Sequence, residues 1–230
     1  MLKAIVTDLL LCCAFNLAYA EDYQHYPYYQ NTYQVTITNI TPGQTFTPQL
    51  AFTHTHPNPL FTLGEAANSE LEMVAEGGDT GPLATTIGDY AIDIQNTEGL
   101  LPAGESTSIM IHGNPGRGLL TVVAMLIPTN DTFLALNGMR LPRRGSVTYL
   151  VPAYDAGTEY NDQNCLNIPG PRCGGEGYSA EGSELDEGFV HIGNGFHDLG
   201  DNDGEGNEVL KPQLYDWNNS VAKITITKLH

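Results

Sequence analysis

Basic residues are scarce in this chain. Nine lysines and arginines face 27 aspartates and glutamates, which leaves a formal net charge of −18. A protein that binds nucleic acid or anionic lipid needs basic side chains to displace counterions. The composition therefore argues against both partners and favours cations, or solubility at high salt.

Familiar catalytic motifs are also lacking. The chain has no Gly-x-Ser-x-Gly, no His-Glu-x-x-His and no phosphate-cradling glycine loop. This favours a protein that is not an enzyme. After residue 20 no run is long and apolar enough to span a bilayer, so we expect no transmembrane segment.

The first twenty residues have the features of an export signal. Lys3 supplies a positive charge, Leu9 to Phe15 form a short apolar core, and Ala18-Tyr19-Ala20 has the small-x-small form of a cleavage site. We expect residues 1–20 to be a signal peptide. The mature protein is then secreted or held at the cell surface, in an extracellular or periplasmic compartment.

Four cysteines are present, and two of them fall in the predicted signal peptide. Cys165 and Cys173 remain, close together in a polar loop. An even pair in an exported chain indicates a disulfide, and two free loop thiols are the alternative.

Short strand-like segments dominate the rest of the chain. Residues 21–31 are polar and tyrosine-rich, so we expect an N-terminal tail followed by one domain over 32–229. The strand-like segments are residues 33–38, 50–55, 90–95, 106–112, 119–127, 146–151 and 222–229. Only residues 64–76 look helical, and residues 161–188 form a long acidic insertion. The pattern predicts an all-β antiparallel sandwich with one short helix and a long acidic loop.

Three carboxylates follow directly on two of these strands. Asp131 comes after the run that ends at Ile127, and Asp155 and Glu159 come after the run that ends at Val151. If both strands end at the same edge of a sheet, the three side chains converge. Ca²⁺ takes about 6–8 hard oxygen ligands in flexible geometry, so we predict a calcium site here. Solvated acidic loops are the alternative.

A second acidic segment resembles the first half of an EF-hand loop. Asp201, Asp203 and Glu205 occupy alternate positions and Gly206 follows them, but Pro212 replaces the bidentate glutamate at position 12. The segment is a weaker second calcium site or only an acidic loop.

Histidines raise a further alternative. His54 and His56 lie two apart on one strand, and His191 and His197 flank a Gly-Asn-Gly turn. Zinc or copper could use such residues, although a lone histidine near a strand end is usually only hydrogen-bonded. Trp217 is interpreted as a core or rim anchor rather than a sugar platform.

Several motifs together resemble one family. They are Phe52 with His56-Pro57, Leu63-Gly64-Glu65-Ala66-Ala67, Ala75-Glu76-Gly77-Gly78-Asp79, Pro128-Thr129-Asn130-Asp131, Tyr154-Asp155-Ala156-Gly157-Thr158-Glu159, and Tyr215-Asp216-Trp217-Asn218-Asn219 before Val221-Ala222-Lys223-Ile224. The chain resembles a spondin domain, the N-terminal module of F-spondin, in a stand-alone exported form.

The resemblance implies a C2-like antiparallel sandwich with one calcium ion held in loops at one end. The family's calcium carboxylates fall on Asp131, Asp155 and Glu159. Glu159 stands where vertebrate members carry aspartate, so its longer arm should bind with altered geometry. The chain lacks the thrombospondin repeats of animal matrix proteins, so the resemblance implies no specific integrin or matrix partner.

Two classes of function follow from the sequence. The first is a calcium-binding extracellular adhesion or surface-assembly module, whose partner is an extracellular protein, a glycan or another copy of itself. The second is a secreted carbohydrate-active enzyme or carbohydrate-binding module that uses an acid pair such as Asp198 and Asp201. The lack of catalytic motifs favours the first.

Overall fold

The computed structural model describes residues 31–57, 59–180, 182, 184–196 and 206–229. The strands of this part of the chain are β1 (Asn31–Asn39), β2 (Thr45–Phe46), β3 (Leu50–His54), β4 (Ala91–Asn96), β5 (Ser106–Gly113), β6 (Leu119–Ile127), β7 (Thr132–Arg140), β8 (Ser146–Val151), β9 (Ala153–Asp155), β10 (His191–Ile192) and β11 (Ala222–Lys228). The helices are α1 (Ser69–Gly77), α2 (Gly81–Ile87) and α3 (Pro212–Tyr215), with a 3-10 turn at Cys165–Asn167.

These strands form two antiparallel sheets. One has the order β5-β1-β11-β8, and the other has the order β10-β9-β7-β6-β3-β4, with β2 paired to β6. The predicted all-β sandwich is confirmed, and each of the seven predicted strands corresponds to an observed one. No helix in the described part of the chain is long and apolar enough to cross a membrane.

The main core lies between the two sheets. On β1, Tyr33, Val35 and Ile37 are fully buried while the alternate side chains face outward, as a strand with one covered face requires. Leu120 and Val122 of β6 meet this set from the opposite sheet.

A second apolar layer covers the other face of the larger sheet. Val123 of β6 packs with Phe52 and Phe133, and Leu71 and Val74 of α1 close over them. Strand β6 is therefore buried on both faces, which explains why its sequence is continuously apolar rather than alternating.

Helix boundaries differ from the prediction of residues 64–76. Helix α1 begins at Ser69 because Asn68 caps it, accepting a hydrogen bond from the Leu71 amide at 2.9 Å. It ends before Gly78, whose φ of 68° provides the left-handed C-cap. Helices α2 and α3 were not predicted, because each is only a turn or two and opens on a proline-containing segment.

Strand β7 was also missed. Its Asn137-Gly138 pair looks like a turn in the sequence, but it lies inside the strand. The pairing of β6 with β7 shifts register between Leu120 and Val122, and Gly138 has a φ of 69°. The pair is thus part of a β-bulge rather than a chain reversal.

Cys165 and Cys173 form a disulfide, as predicted. It lies in the long loop, where both residues pack against the main core. The predicted signal peptide, the tail up to residue 30, and His197, Asp198, Asp201, Asp203 and Glu205 lie outside the described residues.

We predict that the inter-sheet core dominates stability. Leu120 is fully buried, so Leu120→Ala should lower the free energy of unfolding by about 2–5 kcal/mol. Leu150 on the edge strand β8 is 66% exposed, so Leu150→Ala should change it by less than about 0.5 kcal/mol. Denaturant titration measures both, and equal losses would contradict this assignment of the core.

Candidate functional site

Acidic side chains gather at one end of the sandwich, where β7 begins and β9 ends. We call this region, around Asp131, Asp155 and Glu159, the acidic end. The expected route to it was wrong, because β6 and β8 belong to different sheets. The short strand β9 instead joins β7, with Thr132 paired to Asp155, and this pairing places Asp131 beside Asp155.

A turn after β9 wraps the Asp131 carboxylate. Asp155 Oδ1 accepts a hydrogen bond from the Gly157 amide at 2.8 Å, which bends the chain. Gly157 has a φ of 67°, and a Cβ there would lie 2.4 Å from the Phe189 carbonyl oxygen, so only glycine fits. The amides of Thr158 and Glu159 then donate to Asp131 Oδ2 at 2.8 and 3.1 Å.

Buried oxygen atoms at this end lack partners. Four side-chain oxygens here have no hydrogen-bond partner among the described residues: Glu76 Oε1, Asn130 Oδ1, Asp131 Oδ1 and Glu159 Oε2. Buried polar atoms in folded proteins are nearly always hydrogen-bonded, so a concentration of exceptions needs an explanation. All four are hard oxygen donors of the type that calcium binds.

Glu76 was not predicted as a site residue. It lies in the last turn of α1, is fully buried, and accepts a hydrogen bond from the Ser179 amide at 2.9 Å through Oε2. A carboxylate is unfavourable at the negative end of a helix. The helical pattern of the sequence does not identify Glu76 as a site residue, because the burial of Glu76 depends on the packing of α1 against the turn that carries Thr158.

Burial raises the pKa of every carboxyl group in this set. Burial is the largest cause for Glu159, whose pKa rises to about 9, and the charges of Glu76 and Asp131 add to it. Burial likewise raises the pKa of Glu76 to about 7. For Asp131 burial and then the charge of Asp155 raise the pKa well above its usual range. Burial also raises the pKa of Asp155.

Basic side chains lie elsewhere. Arg117 and Arg140 are at the far end of the β6–β7 hairpin, since Leu119 pairs with Arg140 there. Among the described residues the ion pair made by an arginine joins Arg172 to Glu208. The basic partner that the described residues show at the acidic end is instead a histidine, His191, whose Nε2 lies 3.5 Å from Asp155 Oδ1.

A cleft of about 220 Å³ opens onto this group. Asn130 and Glu159 line it, together with Tyr160, Ser179 and Asp186. The cleft gives solvent and small ligands a path to two of the residues that carry unpartnered oxygens.

A second group adjoins the first at the sheet edge. Ligand atoms of Asp155, Glu187 and His191 all lie within 4.8 Å of one another. The sequence had offered His191 only as one of several histidines, and Glu187 not at all. Their meeting depends on the pairing of β10 with β9, which no local pattern reveals.

The other predicted candidates have structural explanations. His54 is buried, and its ring nitrogens lie 2.7 Å from the His56 carbonyl oxygen and 3.1 Å from Thr121 Oγ1, which favours a hydrogen-bonded histidine over a metal ligand. Trp217 is 8% exposed and packs edge-on against Phe196, as expected for an anchor.

Comparison with known proteins provides no family assignment. No protein-family model matches this chain, and no curated protein matches its sequence.

We predict that the metal-free protein loses stability as pH rises. A glutamate whose pKa is 4.5 when unfolded and about 9 when folded binds its proton more tightly in the folded state. The stability that this proton contributes is complete below pH 4.5 and is lost as pH rises to about 9. The melting temperature measured in chelator should fall between pH 7 and 9, and Glu159→Gln should make that fall smaller.

The matched control is Glu98→Gln, which changes an exposed carboxylate outside this group and should leave the pH dependence intact. A melting temperature of the metal-free protein that stays level or rises between pH 7 and 9 would contradict the prediction.

Proposed function

We propose that this chain is an exported calcium-binding protein of the spondin-domain type, and that it acts as a binding, adhesion or surface-assembly module rather than as an enzyme. Asp131, Asp155 and Glu159 hold one calcium ion at the acidic end. The proposal rests on the residues of that end together with the sequence motifs described above.

One observation carries the calcium assignment. Asp131 is fully buried and surrounded by carboxylates, yet its Oδ1 has no hydrogen-bond partner. Glu159 and Glu76 present buried oxygens in the same condition. Unpaired buried charge is strongly unfavourable, and a bound divalent cation removes the penalty for several carboxylates at once.

The ligand set suits calcium. Glu76, Asp131 and Glu159 each present an unpartnered carboxylate oxygen, and Asn130 adds a neutral amide oxygen. Calcium accepts such mixed oxygen shells and tolerates irregular geometry, whereas magnesium demands a near-ideal octahedron. The long arm of Glu159 fits a flexible shell better than a rigid one.

A binding role is consistent with the surface around the ion. The cleft beside Asn130 and Glu159 is open to solvent, and Tyr160 at its wall is 49% exposed. An incompletely coordinated cation in such a cleft can accept a carboxylate from an extracellular protein or an acidic glycan. Exposed tyrosine supplies contact area at low entropic cost.

Calcium should stabilise the fold. A calcium ion that binds only the folded protein raises the free energy of unfolding by about 2.7 kcal/mol when the free calcium concentration is a hundredfold above Kd. Asp131→Asn should remove most of the calcium-dependent shift in melting temperature, because it removes the buried charge at the centre of the site. Glu98→Gln is the control and should keep the full shift. Identical melting curves in chelator and in millimolar calcium would refute the proposal.

Attachment to the partner should depend on the ion. Immobilised protein should bind acidic glycans or extracellular-matrix extracts in calcium and lose most of that binding in chelator, under conditions where circular dichroism shows it still folded. Asp131→Asn should behave like chelation, and Glu98→Gln like the unaltered protein. Binding that survives both treatments would place the contact surface away from the acidic end.

A further inference from the structure

We propose that Asp155, Glu187 and His191 form a second metal site that takes a borderline transition ion such as Zn²⁺. We call these three residues the edge group. The inference goes beyond the proposed function, because it concerns another ion, another ligand chemistry and mostly other residues. Only Asp155 is shared with the calcium site.

Strand register brings the edge group together. His191 of β10 pairs directly with Asp155 of β9, so the two side chains lie on the same face of the sheet. His191 Nε2 lies 3.5 Å from Asp155 Oδ1, and the two side chains are 20% and 5% exposed. Glu187 reaches them from the loop that precedes β10, and its ligand atom lies within 4.8 Å of the other two.

The histidine ring is oriented for metal binding. His191 Nδ1 lies 3.0 Å from the Ile192 carbonyl oxygen, which can only accept a hydrogen bond. In the neutral ring Nδ1 therefore carries the proton, and Nε2 presents its lone pair to the carboxylates. Nε2 is buried and has no hydrogen-bond partner within residues 31–57, 59–180, 182, 184–196 and 206–229. A ring nitrogen fixed on a backbone carbonyl is the usual arrangement behind a metal-binding histidine.

A neighbouring amide holds both carboxylates. Asn161 Nδ2 donates to Asp155 Oδ2 at 2.8 Å and to Glu187 Oε1 at 3.4 Å. Such outer partners orient the ligands. Asp155 Oδ1 also accepts from the Gly157 amide at 2.8 Å, and a carboxylate oxygen that accepts one hydrogen bond keeps a second lone pair for an ion. Two carboxylates and a neutral ring balance the charge of a divalent cation, and a water molecule can fill the fourth position.

The donor set selects the class of ion. Calcium prefers oxygen ligands throughout, whereas an imidazole nitrogen suits zinc, copper, nickel and iron. In a tetrahedral zinc site the ligand atoms lie about 3–3.5 Å apart. The 3.5 Å between Asp155 and His191 already meets that spacing. Glu187 is exposed on the surface, so its side chain is free to rotate until its oxygen comes within the same distance of the other two ligand atoms.

The test is a titration of the full exported chain with Zn²⁺ in millimolar calcium, followed by calorimetry. We expect one zinc ion to bind. Glu187→Gln and His191→Gln should each weaken binding more than tenfold, since even the partners behind a ligand change metal affinity about 10–100-fold. Co²⁺ should bind in place of zinc and give a visible absorption band that His191→Gln removes.

The control is His112→Gln. His112 Nδ1 lies 2.8 Å from Asp93 Oδ2 and so forms a similar surface pair, but within the described part of the chain no second carboxylate joins it. Zinc affinity should be unchanged in this variant. Equal affinity in His191→Gln and the unaltered protein would overturn the inference, and so would complete loss of zinc binding in millimolar calcium, which would mean that one ion site exists at Asp155.

The two sites can fail separately. Asp131→Asn should remove most of the stabilisation by calcium and leave zinc binding in place. A chain that binds zinc through His191 but shows no calcium effect would retain the edge site and refute the calcium site.

Discussion

The pairing of β9 with β7 is the contact on which the rest of the acidic end depends. Strand β9 is only three residues long, and it pairs Asp155 with Thr132. The pairing places the buried carboxylates of Asp131 and Asp155 side by side. Strand β10 then pairs with the other side of β9 and adds His191. The packing of both sheets and of α1 buries these carboxyl groups wholly or in large part, and burial is the largest cause of the raised pKa values of Glu76, Asp131, Asp155 and Glu159. A fold that buries like charges needs a proton or a cation among them.

The sequence predicted the layers of the fold better than their connections. Alternation on β1 and the apolar run of β6 identified strands because burial on one face or on two leaves a direct mark in the residue pattern. Strand β7 was hidden by Asn137-Gly138, since a bulge and a turn use the same residues. The carboxylates Asp131 and Asp155 were predicted to meet, and they do, but through β7 and β9 rather than through β6 and β8.

Site residues that meet only through tertiary contacts could not be identified from a local sequence pattern. Glu76 belongs to a helix and becomes part of the acidic end only because α1 packs beside Thr158. Glu187 and His191 depend on a two-residue strand at the sheet edge. Arg140 lies at the opposite end of the β6–β7 hairpin from Asp131, so the length of the hairpin separates it from the acidic end.

The most direct measurement is a crystal structure from calcium-containing buffer, with the ion located by anomalous scattering. The account predicts an ion at the acidic end within about 2.3–2.6 Å of oxygens from Asp131, Asp155 and Glu159. An acidic end without an anomalous peak, in which these carboxyl groups hydrogen-bond directly to one another as protonated acids, would contradict it.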